Sequence, residues 1–139
     1  MKKILLIAFC LLMGLGVMAQ ERVIKREQLP EAARHFVMDN WNNVSISKAR
    51  QVTEGYKISY KVILVDQTVI VFNRDGGWRS ISATKEVSES AIPASIRTYV
   101  AANHRNAKVL KMEKKSDGYE VILDNEKNLV FDLKGNFLR

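Results

Sequence analysis

The feature that constrains this chain most is that it resembles itself. The segment Leu29-Pro30-Glu31-Ala32-Ala33-Arg34-His35-Phe36-Val37-Met38-Asp39-Asn40 aligns with Ile92-Pro93-Ala94-Ser95-Ile96-Arg97-Thr98-Tyr99-Val100-Ala101-Ala102-Asn103 at an offset of 63. Apolar-Pro, Arg, aromatic-Val and Asn coincide. Ile46 then falls on Val109 and Lys48 on Lys111. Tyr60 to Leu64 falls on Tyr119 to Leu123 at an offset of 59, as do Val71-Phe72-Asn73 on Val130-Phe131-Asp132 and Gly76-Gly77-Trp78 on Gly135-Asn136-Phe137. Self-similarity in one order with one small gap predicts a single supersecondary unit built twice. The extra residues of the first copy are expected around Glu54-Gly55.

Each copy reads as a helix followed by strands. Pro30 and Pro93 are the only prolines, and each stands where a helix would begin, a position that needs no backbone N–H. Ala33, Phe36, Val37, Asn40 and Trp41 fall at helical spacing in the first copy, and Ile96, Tyr99, Val100, Asn103 and His104 in the second. Arg34, His35 and Asp39 are expected to face water. Period-two alternation follows: Tyr56, Ile58, Tyr60, Val62 and Leu64 share one parity, as do Tyr119, Val121 and Leu123. Turn residues punctuate the pattern at Glu54-Gly55, Asp66-Gln67, Asp75-Gly76-Gly77, Asp117-Gly118 and Lys134-Gly135-Asn136. Four strands per copy are predicted, near 44–53, 56–65, 68–73 and 78–82, then 107–115, 118–124, 127–132 and 136–138. The fold class is therefore α+β: two tandem helix-plus-four-stranded antiparallel units with helices on one face of the sheet. The first repeat spans 29–82 and the second 92–139, joined by a small, polar linker at 83–91. A single copy of about 50 residues would be marginal, so the two are expected to share a core or continue one sheet.

The first nineteen residues read as a signal peptide: Lys2 and Lys3, an apolar stretch from Ile4 to Val17, and cleavage expected after Ala19. That stretch is shorter than the ~20 residues a spanning helix needs, so no membrane association is expected after cleavage, and residues 20–28 become the N-terminal segment. A periplasmic or secreted location follows. Cys10 is the only cysteine and lies inside the leader. The exported chain then has no thiol nucleophile, no Cys-ligated zinc and no disulfide, and must be held by its core.

Lys and Arg total 22 against 15 Asp and Glu, but the excess is dispersed. Lys108, Lys111, Lys114 and Lys115 form only a loose cluster, read as solvated lysines that protect a strand from aggregation. No nucleic-acid partner is expected. His104 takes the repeat position of Trp41 and reads as a packed histidine, while His35 reads as exposed. Asp124, Glu126 and Asp132 flank a turn without the spacing of a calcium loop, so no metal site and no cofactor is assigned. Neither a Gly-x-Ser-x-Gly nor a phosphate-binding loop occurs, and no catalytic residue is named.

The pattern Leu-Pro…Ala-Arg-x-Phe-Val…Asn-Trp, then Tyr-Lys-Val-x-Leu, then Asp-x-x-Gly-x-Trp, with the second-copy Ile-Pro-x-Ser-Ile…Tyr-Val…Asn-His and the final Gly-Asn-Phe, resembles the secreted PepSY-like, β-lactamase-inhibitor-like proteins of Gram-negative bacteria. The resemblance covers Leu29 to Arg139. It implies tandem helix-plus-four-strand units in one curved antiparallel sheet, helices on its convex side, and an exported protein without catalytic residues. A shared fold does not by itself confer inhibition.

One sheet face departs from the usual apolar-in, polar-out alternation. Ile63, Val65, Val69, Val71, Ile122 and Val130 have the parity opposite to the core, interrupted by Lys57, Lys61, Arg79, Glu120 and Asp124. An apolar centre with a charged rim is what a recognition patch requires. Lys61, Ile63, Val69, Val71, Arg79, Ile122 and Val130 are the candidate partner-binding residues. Trp78 either borders this patch or joins the core. The expected function is a non-enzymatic binding module, an inhibitor or regulator of an envelope or secreted hydrolase. A homodimeric assembly protein and a ligand-binding domain for envelope polymers are the alternatives.

Overall fold

The computed structural model describes residues 19–139; the predicted signal segment up to Met18, Cys10 included, lies outside the described residues. Eight strands form one open antiparallel sheet in simple sequence order. They are β1 (Gln20–Ile24), β2 (Ile46–Glu54), β3 (Lys57–Leu64), β4 (Val69–Asn73), β5 (Trp78–Ser82), β6 (Val109–Lys114), β7 (Gly118–Leu123) and β8 (Asn128–Asp132). Helix α1 (Glu31–Asn40) lies between β1 and β2, and α2 (Ala94–Asn103) between β5 and β6. A 3-10 turn precedes each helix, at Arg26–Gln28 and Glu89–Ala91.

The helices form where expected, one residue later than the prolines. Pro30 and Pro93 stand at the N-caps with extended backbone, and their carbonyls accept the first helical bonds from Arg34 and Arg97 at 3.1 and 3.0 Å. At the other end, Asn40 and Asn103 donate side-chain bonds to the carbonyls of Phe36 and Tyr99. The backbone then leaves through Trp41 at φ −134°, ψ 60° and His104 at φ −135°, ψ 65°. Both helices turn one side toward the sheet. Ala33 and Val37 of α1, and Ile96 and Val100 of α2, are buried against Val62, Leu64, Ile70, Phe72, Ile81, Met112, Val121, Leu123, Leu129 and Phe131. A fully buried side chain of this kind contributes about 1.5–3 kcal/mol through removal from water.

The sheet and its core run without interruption from one half to the other. β5 pairs with β6 through Ser80↔Glu113, Ile81↔Met112 and Ser82↔Lys111, and Ile81 and Met112 have no exposure at all. The segment 83–91 is not a loose tether. Val87 is buried and donates its N–H to the Val109 carbonyl at 2.7 Å, while the Ser88 hydroxyl donates to the Asn40 carbonyl at 2.6 Å.

Several expectations need correction. β1 was not anticipated, because Gln20-Glu21-Arg22-Val23-Ile24 buries only its last residue. Residues 136–138 do not form a strand: Phe137 makes only a bridge to Phe131, and Leu138 and Arg139 bond to Val130. Tyr56 leaves the core parity because it sits in the β2–β3 hairpin, where it is 99% exposed. Arg34 does not stand in water; it is half-buried with its Nε enclosed.

Candidate functional site

The helix-free face is defined by strand register. One row of directly opposed residues crosses the whole sheet: Val23, Arg50, Lys61, Val71, Ser80, Glu113, Glu120 and Val130. The adjacent row is Lys48, Ile63, Val69, Ser82, Lys111, Ile122 and Asn128. Lys61, Ile63, Val69, Val71, Ile122 and Val130 thus lie in two neighbouring rows. Arg79 has no paired partner in either row, though it lines a shallow pocket with Asn73 and Glu113. A bulge pairs Phe72 with Trp78 and Val71 with Ser80, leaving Arg79 as the unmatched residue, exposed at the edge of the register. The same bulge sends Trp78 to the helix side, where its ring stacks on Phe36 at 6.4 Å and meets Tyr119 at 6.0 Å.

The apolar residues form two patches. Ile63, Val69 and Val71 cluster on β3 and β4, and Ile122 and Val130 on β7 and β8; between them Ser80, Ser82, Lys111 and Glu113 keep the middle of the face polar. All five apolar residues are half-buried.

Charge divides the first row. Arg50 and Lys61 stand opposite one another on β2 and β3, and Glu113 and Glu120 on β6 and β7. Like charges directly opposed weaken a sheet. The structure compensates each pair once: Glu21 accepts from Arg50 at 2.8 Å, and Lys115 and Asn128 both donate to Glu120. Those two hydrogen bonds, Lys115 first, hold the Glu120 carboxyl below its ordinary range, and the bond to Glu120 raises the Lys115 ammonium. Val23 was missed by sequence reasoning because its place in the row depends on β1, and Arg50 because only the β2–β3 register sets it opposite Lys61.

The remaining polar candidates serve the fold. Asp132 accepts backbone N–H bonds from Asn136 and Lys134 and a side-chain bond from Asn136, and the Asn136 bonds lower its carboxyl first. Asp124 accepts from the Lys108 N–H at 3.1 Å. Among the described residues no three His, Cys, Asp or Glu side chains converge on one point. His35 is exposed beside Glu31 at 3.4 Å, and His104 is half-buried with its ring 6.0 Å from Tyr99. No described helix is long and apolar enough to cross a membrane.

An open antiparallel sheet, two helices on one side and a patterned face on the other define the class: an α+β protein whose candidate surface is broad and not a cleft. The chain belongs to the PepSY-like, beta-lactamase-inhibitor-like family, whose model matches residues 58–139. Among solved structures it is similar to a protein of Bacteroides thetaiotaomicron described as a "putative calcium-regulated periplasmic protein", at 32% identity and TM-score 0.82, covering 86% of this chain and 94% of that one. Two structures from Bacteroides vulgatus, each described as a "putative periplasmic protein", are similar at 29% and 30% identity. Their TM-scores are 0.80 and 0.79; each covers 86% of this chain, with 95% and 98% of the other chain matched. No curated protein matches the chain.

Proposed function

We propose that this protein is an exported, non-enzymatic binding module of the periplasm that engages a protein partner through the helix-free face of its sheet, as an inhibitor or regulator of an envelope hydrolase would. The observation that carries the reading is the pair of rows described above. They place two apolar patches beside like-charge pairs, Arg50–Lys61 and Glu113–Glu120, that suit a partner of opposite polarity at each end. The names of the solved relatives support the periplasm, and the family description supports a role without catalysis.

The same reading treats the chain as two equivalent units in one sheet. Matching cap dihedrals at Trp41 and His104 support it. So do bulges at Ile46/Lys48 and Val109/Lys111, and positive φ at Gln67 and Glu126 and at Gly76 and Gly135. Capture of a periplasmic protein by the intact chain, compared with an Ile63→Asp/Val71→Asp variant, tests the face. Loss of one specific partner in the variant is expected; capture unchanged by the substitutions removes the face from the account. Light scattering across a concentration series tests the homodimer, which a monomer at every concentration rejects.

A further inference from the structure

The two halves differ at one place, and the difference leaves a groove. This comparison rests on the two-unit reading above. Ile24 pairs with Ala49 and Ile81 with Met112, so β1 stands to β2 as β5 stands to β6. After Ile81, Ser82–Ser88 precede the 3-10 turn at Glu89–Ala91; after Ile24, only Lys25 precedes that at Arg26–Gln28. The longer connection in the second half lies along the start of β6. Ala83 and Val87 donate their N–H groups to the carbonyls of Leu110 and Val109 at 2.8 and 2.7 Å, Val87 is buried, and Glu86 pairs with Lys108 at 3.6 Å.

In the first half the corresponding edge is bare among the described residues. The β1 ladder stops at Ile24↔Ala49, so no strand lies beside Ile46 and Ser47, the counterparts of Val109 and Leu110. There the chain leaves a groove of about 720 Å³ floored by Ile24, Val37, Trp41 and Ala49. Arg26 and Lys48 line it, and no carboxylate does.

We propose that this groove binds an extended acidic segment of a partner protein, seating a valine or isoleucine where the second half seats Val87. Main-chain N–H groups of the segment reach the free edge of β2 at Ile46 and Ser47, which is recognition by strand addition. A carboxylate next to the seated residue meets Lys48 or Arg26, as Glu86 meets Lys108. The site adjoins the helix-free sheet face at Lys48, which pairs with Ile63 there, but its floor of Ile24, Val37, Trp41 and Ala49 belongs to the helix side.

The test uses a peptide of residues 83–89, the segment that fills the equivalent place, titrated into the protein and followed by amide NMR. Saturable shifts confined to Trp41 and residues 44–48 are expected. Lys48→Glu weakens binding about two- to fivefold, and the peptide carrying Val87→Asp does not bind. Shifts at Ile63 and Val71 instead, or none at all, overturn the proposal. Val87→Asp in the protein itself separates the two premises. If it lowers the melting temperature while the peptide shifts nothing at 44–48, Val87 seals the second half as described and the groove is not a docking site. If it leaves stability unchanged, the comparison of halves that the proposal rests on fails, and the proposal with it.

Discussion

The rings of Trp78 and Tyr119 lie 6.0 Å apart at an interplanar angle of 30°, reaching from β5 to β7 over the intervening strand β6. On its other side Trp78 stacks with Phe36 of α1. The indole therefore ties the first helix to the second half of the sheet, beside a β5–β6 ladder only three residue pairs long. Trp78→Ala is expected to cost about 3 kcal/mol, the lower end for an aromatic truncation because the ring is half-buried. Urea unfolding of the parent should be one transition by fluorescence and circular dichroism together. Two separable transitions in the parent would contradict a shared core.

Two glycines are fixed by close approach. A Cβ on Gly118 would overlap the Phe131 carbonyl oxygen across the β7–β8 ladder, and strand backbone cannot move away without breaking register. Gly76, at φ +94°, lies in the turn after β4, where a Cβ would meet the Ala33 backbone nitrogen of α1 at 2.9 Å. Gly118→Ala and Gly76→Ala should each destabilise by about 1–3 kcal/mol, whereas Gly55→Ala, with open space around it, should cost only its positive-φ strain, about 1 kcal/mol. Thermal melts of the three variants check the order.

Acid should weaken the fold through two carboxylates. Glu120 and Asp132 are lowered by hydrogen bonds made only in the folded chain. Their contribution is therefore complete above about pH 4.5 and is lost as pH falls through the folded values. Lys115, raised by Glu120, acts in the opposite sense: its share is complete below about pH 10.5 and is lost as pH rises through its folded value. Urea midpoints measured against pH should fall on the acid side, and Glu120→Gln with Asp132→Asn should flatten that limb.

Lys61 stands opposite Arg50. If that arrangement serves recognition, Lys61→Glu should raise stability by about 0.5 kcal/mol by replacing a like-charge pair with an opposite one, and should weaken partner binding. A charge reversal that raises both stability and binding would contradict the reading.

Much of the fold was legible because its signals are local. Proline followed by a helical stripe marks both helices, and the alternation around Val62 and Val121 marks the central strands. What was missed depends on neighbours far along the chain. Gln20–Ile24 becomes a strand only because β2 offers an edge, and four of its five residues remain exposed. Tyr56 continues the parity of β3 in sequence but falls in the hairpin, where alternation no longer selects burial. Val87 was hidden inside a polar segment, since one buried valine has no periodicity. The candidate face was legible as parity, but its division into two patches was not, because the polar middle is set by the β5–β6 register. Arg79 stands outside the paired rows because of a bulge, which shifts parity without leaving a trace in composition.

The most direct test of the central claim is the affinity of the protein for its captured periplasmic partner, measured for the parent chain and for Ile63→Asp/Val71→Asp at matched folding. The account predicts an unchanged melting profile and at least a hundredfold loss of affinity, about 2.7 kcal/mol, as expected when charge enters the centre of an apolar contact. Equal affinity in the two proteins would contradict it and would reduce the valines and isoleucines of this face to good strand formers.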